Sequence, residues 1–272
     1  MARRADAAKT GVKRQKTARQ ARDEELRAKA KKKLRALLSF DSRAVKKKLG
    51  AAATARSVNS KRAQMQLFSM ANSAVIGVDE VGRGCLAGPV VACAVMLPQL
   101  DTQSELYDKL CRLDDSKKLS ADLRVQLAQT VSSCAWYSIG ECSPEEIDEI
   151  NIFHASLLAM KRAVDGLFAS IPAKRETTLL LVDGNRELAI EGIEQLPVVG
   201  GDGRSAAIAA ASVVAKVHRD ALMLSLSGQF PQYGWESNKG YPSVSHRKAL
   251  REHGLTEWHR RSFNCLPEEA PS

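Results

Sequence analysis

Long apolar runs are missing from this 272-residue chain. None approaches the roughly 18 consecutive apolar residues of a membrane span, and no signal-peptide core follows the N-terminus. The chain therefore reads as soluble. Its six cysteines (85, 93, 111, 134, 142 and 265) form no Cys-x-x-Cys pair and no Cys/His cluster. That argues against a zinc site and against a secreted disulfide framework, and it points to a reducing compartment. Cys93 and Cys134 lie in apolar stretches and read as small core residues.

Acids are scarce at the front. Residues 1–70 hold 21 Lys/Arg against 5 Asp/Glu, a balance of +16; residues 71–272 hold 20 against 26, a balance of −6. The net charge of +10 thus belongs to the arm and not to the body. A basic arm on an acidic body suits contact with a polyanion, nucleic acid first. Residues 1–35 also lack large apolar side chains, with Val12 the sole aliphatic before Leu26, so they predict a transiently helical segment without a core. A mitochondrial presequence would share the arginines, but the missing apolar face and serines speak against it. A nuclear signal needs only basic content. The favoured location is cytoplasmic, of bacterial type. Scattered Leu, Val and Phe between 34 and 70 predict one or two short helices, and the domain boundary is placed near 72: extension 1–71, catalytic domain 72–266, tail 267–272.

Beyond that boundary the hydrophobic content of 44% suits a globular body. Apolar runs at 74–79 and 89–97, joined by a glycine-rich loop, suit an antiparallel pair. Ser120 precedes a helical stretch over 121–133, and 134–141 reads as a third strand. Ser143-Pro144-Glu145-Glu146 is a capping box with proline at the first helical position. An apolar stripe of helical period runs from Asn151 to Phe168. Thr177–Val182 and Pro197–Val199 read as short strands, apolar throughout, as at sheet centres covered on both faces. Ala206–Leu226 reads as a long helix. The order predicts an α/β fold, a mixed sheet with helices on both faces.

Acids stand at the ends of three strands: Asp79-Glu80, Asp183 and Asp202. Neighbouring strand residues face opposite ways, so Asp79 and Glu80 cannot both enter one core. Glycine follows Asp183 and Asp202, which permits a sharp turn and close approach of a bulky ligand. Four gathered carboxylates would repel one another by about several kcal/mol unless cations sat among them. Oxygen-only donors favour Mg²⁺ or Mn²⁺ over zinc. Two such ions could clamp a phosphodiester displacement.

Between these acids run the blocks Gly77-Val78-Asp79-Glu80-Val81-Gly82-Arg83-Gly84, Leu86-Ala87-Gly88-Pro89, Asp115-Ser116-Lys117-Lys118-Leu119 and Val182-Asp183-Gly184-Asn185. Gly201-Asp202, Ile208 to Ser212, Ala215 to Asp220, Lys239-Gly240-Tyr241-Pro242, His246 and His259-Arg260-x-Ser262-Phe263 follow in order. Over residues 74–264 the chain resembles the ribonuclease HII family. The resemblance implies a ribonuclease H-like five-stranded mixed sheet and an Asp-Glu-Asp-Asp metal set on Asp79, Glu80, Asp183 and Asp202. It also implies two Mn²⁺ or Mg²⁺ ions per site. Implied substrates are RNA–DNA hybrids and duplex DNA carrying a ribonucleotide, nicked on its 5′ side by a monomer.

By the same resemblance, Gly82, Arg83 and Gly84 meet the 2′-hydroxyl that tells RNA from DNA. Lys117, Lys118 and Lys216 meet phosphates, and Tyr241 stacks at the RNA–DNA junction. Two positions depart from the family pattern: Cys85 replaces a proline, and Pro242-Ser243 replaces Gly-Thr. Another ribonuclease H-like nuclease, such as a junction resolvase, is argued against by the Asp-Glu pair joined to Gly-Arg-Gly. A non-catalytic binder would be expected to lack one of the four acids.

Overall fold

The computed structural model describes residues 2–49 and 74–265, with side chains from residue 19 onward. The boundary placed near 72 and the tail 267–272 fall outside the described residues. In chain order the elements are α1 (Ala2–Leu49), β1 (Ala74–Val81), β2 (Val90–Met96), α2 (Glu105–Leu110) and α3 (Ala121–Cys134). Then come β3 (Trp136–Cys142), α4 (Pro144–Phe168), β4 (Thr178–Asp183) and β5 (Glu194–Val198). The helices α5 (Ala206–Gln229), α6 (Trp235–Asn238) and α7 (Val244–His253) complete the list. The strands form one mixed sheet in the order β3-β2-β1-β4-β5. β1 and β2 are antiparallel, as are β2 and β3, while β1 and β4, and β4 and β5, run parallel.

Alternation along the strands divides the core. Ile76, Val78, Leu180 and Val182 face one side and pack with Ala155, Ala159, Ala163 and Leu167 of α4. Cys93 and Val95 face the other side, with Ala210, Val213 and Val214 of α5 and Leu127 and Val131 of α3. Gly77 sits where β1 meets α5: a Cβ there would stand 2.2 Å from the Ala207 carbonyl carbon. The capping box forms, with Ser143 Oγ accepting the Glu146 amide and Glu146 accepting the Ser143 amide. Within α4, Asn151 adopts φ 64° and breaks the helix; its Oδ1 accepts the amides of Phe153 and His154, starting the second segment.

Two expectations change. β5 is an edge strand with Glu194 exposed, not a covered centre, and it ends at Val198, with Val199 67% exposed. Pro197 has no N–H to give a further neighbour, which suits an edge. The basic segment, for its part, is one long helix to Leu49, and its later half enters the core. Leu34 and Leu37 pack with Cys93, Val95 and α5, while Ala44 and Val45 pack with Leu179, Leu181, Val198 and Ile208. Arg27 and Lys31 pair with Asp108, Lys33 with Asp114, and Lys48 with Glu194 at 2.7 Å. Part of the arm's positive charge is therefore matched by acids of the body. No described helix is long and apolar enough to cross a membrane.

Candidate active site

The parallel register of β1 and β4 ends on the pair Val78–Val182. The next residues, Asp79 and Asp183, therefore emerge side by side from adjacent strands. Glu80 follows Asp79 directly. One carboxylate oxygen from each of Asp79, Glu80 and Asp183 lies within 4.8 Å of the others. Among the described residues this is the one such grouping of potential metal ligands. Asp79 is only 6% exposed.

Burial pushes the Asp79 carboxyl well above the usual range, and the charges of Glu80 and Asp183 push it further. A hydrogen bond from the Ser212 hydroxyl works the other way. Glu80 is also raised by burial, opposed by Arg83, whose Nη1 lies 3.3 Å from Glu80 Oε1. The Glu80 amide donates to Asp79 Oδ1 at 2.7 Å, and the Gly201 amide donates to Asp183 Oδ1 at 2.7 Å.

Asp202 lies on the helical turn Gly201–Gly203 and is not among the three clustered acids. Burial, then Asp115 and Asp183, raise its carboxyl. Asp115 itself resists burial through the Lys117 amide, which it accepts at 2.9 Å, through Asp202, and through Lys118 at 3.4 Å. Such self-opposed carboxylates gain by taking a divalent cation between them. With metal–oxygen bonds of about 2.1 Å, oxygens across an Mg²⁺ ion stand about 4.2 Å apart, which the 4.8 Å limit on these oxygens accommodates. All donors are hard oxygens, so the residues fit a divalent cation of the Mg²⁺ or Mn²⁺ kind.

One face of α5 serves the site. Ser212, Lys216 and Arg219 recur at helical spacing. Ser212 reaches Asp79 and lies 3.0 Å from the Ser116 hydroxyl. Lys216 donates to Asp220 at 2.7 Å and stands 5.7 Å from the centre of the Tyr241 ring. Tyr241 is 39% exposed, so part of the ring is open to a ligand. Lys117 and Lys118 are exposed on their turn beside Asp202. Of the residues expected at one site, Asp79, Glu80 and Asp183 are brought together, and Lys216 lies against Tyr241.

Sequence reading gave no role to two arginines, Arg219 and Arg260, that are fully buried. Arg219 donates to the carbonyls of Pro89, Lys239 and Ala87, each at 2.9 Å. Arg260 donates to Gly88 through Nε and Nη2, and to the Arg83 carbonyl at 3.0 Å. They lie beneath the Gly82–Gly88 loop and satisfy its carbonyls. A Cβ on Gly82, whose φ is +94°, would stand 2.3 Å from Arg219 Nε, whereas Gly84 has open space. Gly82 is thus demanded by the arginine beneath it, and Gly84 is the position open to approach. A buried arginine carries no distinctive sequence signal, because the residue type is ordinarily exposed.

Behind Tyr241 lies a buried relay. Trp235 Nε1, which is only a donor, gives its hydrogen to His246 Nε2 at 3.1 Å. His246 Nδ1 must then donate, and it faces the Tyr241 carbonyl at 2.9 Å. His259 Nε2 donates to the shared His246 Nε2 at 3.1 Å, and His259 Nδ1 accepts the Thr256 amide at 3.0 Å. Both rings are therefore neutral. Burial, then the neighbouring His246, depresses His259 from the ordinary 6.5 to about 4, and burial lowers His246 as well. Between pH 6.5 and about 4 the unfolded chain binds more protons than the folded one, so stability falls as pH falls through that window. Thermal unfolding followed by circular dichroism should show this decline and a plateau above it. A His259→Gln variant should flatten the curve; an unchanged slope would reject the relay.

A five-stranded mixed sheet with clustered acids at adjacent strand ends defines a ribonuclease H-like nuclease. Comparison with known proteins narrows the class. The family profile "Ribonuclease HII" matches residues 76–266. A curated ribonuclease HII of Paramagnetospirillum magneticum is 52% identical over 189 residues, covering 70% of this chain and 89% of that protein. One from Phocaeicola vulgatus is 49% identical over 192 residues, with the same shares. The crystal structure of ribonuclease H2 from Pyrococcus horikoshii aligns with TM-score 0.53 and 25% identity, over 71% of this chain and 94% of that one. The chain belongs to the ribonuclease HII family and carries ribonuclease H activity.

Proposed function

We propose that the chain nicks duplex DNA on the 5′ side of an embedded ribonucleotide and cuts the RNA strand of hybrids, leaving 3′-hydroxyl and 5′-phosphate ends. The observation that carries this is the Asp79–Glu80–Asp183 cluster beside an open Gly84 and a half-open Tyr241. Asp79, Glu80, Asp183 and Asp202 would hold two divalent ions, Mg²⁺ or Mn²⁺. Such ions supply water activation and neutralise charge developing on the phosphate.

The remaining steps belong to the chain. Backbone groups of Gly82, Arg83 and Gly84, stiffened by Arg260 beneath them, meet the 2′-hydroxyl, the group that distinguishes RNA. Lys117, Lys118 and Lys216 hold phosphates. Tyr241, its carbonyl fixed by His246, stacks at the junction. The enzyme is read as a cytoplasmic monomer.

The test is metal-dependent cleavage of a duplex with one ribonucleotide, set beside an all-DNA duplex. A nick 5′ to the ribonucleotide alone is expected; cutting of both duplexes, or of neither, would overturn the reading. Tyr241→Ala should lower activity on that substrate by roughly tenfold, the scale of one lost stacking contact. Duplex binding should change little, and equal activity of variant and parent would reject the role of Tyr241.

A further inference from the structure

Helix α1 lies outside the matched region 76–266, yet it grips the segment that carries Asp202. Asp41 is buried, and its Oδ2 accepts the Ala207 amide at 3.1 Å. The Ala206 amide and the Ser205 hydroxyl also turn toward it. These groups open α5, where backbone amides have no partners inside the helix and a negative charge suits the helix dipole. Immediately before them, the Arg204 guanidinium stands 5.2 Å from the centre of the Phe40 ring. One turn further along α1, Ala44 and Val45 pack with Ile208. Ile208 fills the space beside Gly201, where an added Cβ would lie 2.5 Å from Ile208 Cδ1. On the other side Gly77 presses on Ala207, so the first turn of α5 is held between β1 and α1.

The turn that carries Asp202 is tied to this packing. The Arg204 and Ser205 amides donate to the Gly201 carbonyl at 2.9 and 2.8 Å, so the first turn of α5 and the Gly201–Gly203 turn move together. We propose that Asp41, aided by Phe40, is a positioning residue for the metal site. Through the first turn of α5 it keeps the Gly201–Gly203 turn, and with it Asp202, close to the cluster of Asp79, Glu80 and Asp183. This rests on the reading of Asp202 as a metal ligand.

The test is Mn²⁺ binding without substrate, by calorimetry on the full chain, at a temperature where every variant is folded. Asp202→Asn should weaken Mn²⁺ binding if the underlying reading holds. Asp41→Ala should then weaken it by about fivefold, the scale of one lost helix cap. Asp41→Asn keeps an oxygen for the Ala207 amide and should bind within about twofold of the parent on the same scale. Phe40→Ala should fall between them, and it carries the test if Asp41→Ala does not fold. A purely structural cap would lower the unfolding temperature and leave the Mn²⁺ affinity in place. Parent-like affinity in Asp41→Ala and Phe40→Ala beside a weakened Asp202→Asn would overturn the proposal alone. Parent-like affinity in Asp202→Asn would remove the reading beneath it.

Discussion

Asp79→Asn and Asp183→Asn are each expected to lower nicking by at least about 10³-fold, because each withdraws a charge from the site that must hold the cations. The fold should survive. Asparagine keeps an oxygen for the Gly201 amide at position 183 and for the Glu80 amide at position 79. Asp79 is raised chiefly by burial and next by Glu80 and Asp183. Removing its charge should therefore leave the metal-free protein as stable as the parent, or more so. The rise in unfolding temperature that Mn²⁺ gives the parent by binding the folded state should shrink in both variants. Near-normal nicking in both, with Mg²⁺ and with Mn²⁺, would sink the assignment. A collapse of the fold would instead mean that the carboxylates are held by contacts this structure does not contain.

The cluster of Asp79, Glu80 and Asp183 was legible because such acids leave a mark in one dimension. Acids closing apolar strands, each near a glycine, are improbable unless something outside the core needs them. What the sequence hid is how the acids divide. Asp79 and Asp183 meet because β1 and β4 run parallel in a register ending at Val78–Val182; no local pattern encodes a register between residues a hundred positions apart. Asp202 stands nearer Asp115, an acid read only as part of a lysine motif. The start of α4 was visible in the capping box at Ser143 and its apolar stripe from Asn151, but the break at Asn151 was not. Edge position was not visible. An apolar Leu196-Pro197-Val198 looks alike in a central strand and in an edge strand lying over packed residues. Burial of α1 was missed for a different reason. Leu34, Leu37, Ala44 and Val45 are few against the surrounding lysines, so composition averaged them away, although a stripe of four suffices to dock a helix.

That docking divides the basic extension into two parts with opposite expected behaviour on truncation. Among the described residues the first buried side chain is Leu34. Deleting residues 1–22 removes eight Lys/Arg and one Asp and none of the packed residues. Such a protein should unfold at the parent temperature and cut at the same position. Its affinity for duplex at low salt should fall, and its salt dependence should flatten by about 0.9 per lost phosphate contact in log K against log salt. Deleting residues 1–49 is another matter. It strips Leu34, Leu37, Ala44 and Val45 from the sheet face and takes Asp41 away from the Ala207 amide at the start of α5. Each lost leucine alone costs about 2–5 kcal/mol, against a total stability of about 5–15 kcal/mol for a typical domain. The shorter protein should therefore be largely unfolded or aggregated at temperatures where the parent is native. Thermal unfolding of the two truncations, with filter binding across a salt series, separates the roles. A 1–49 deletion with the parent unfolding temperature would show that α1 merely rests on the sheet. A 1–22 deletion with the parent salt slope would show that the first part of the arm serves something other than the substrate. A shifted cleavage position would place the arm inside the site, which the packing of α1 on the sheet face does not provide for.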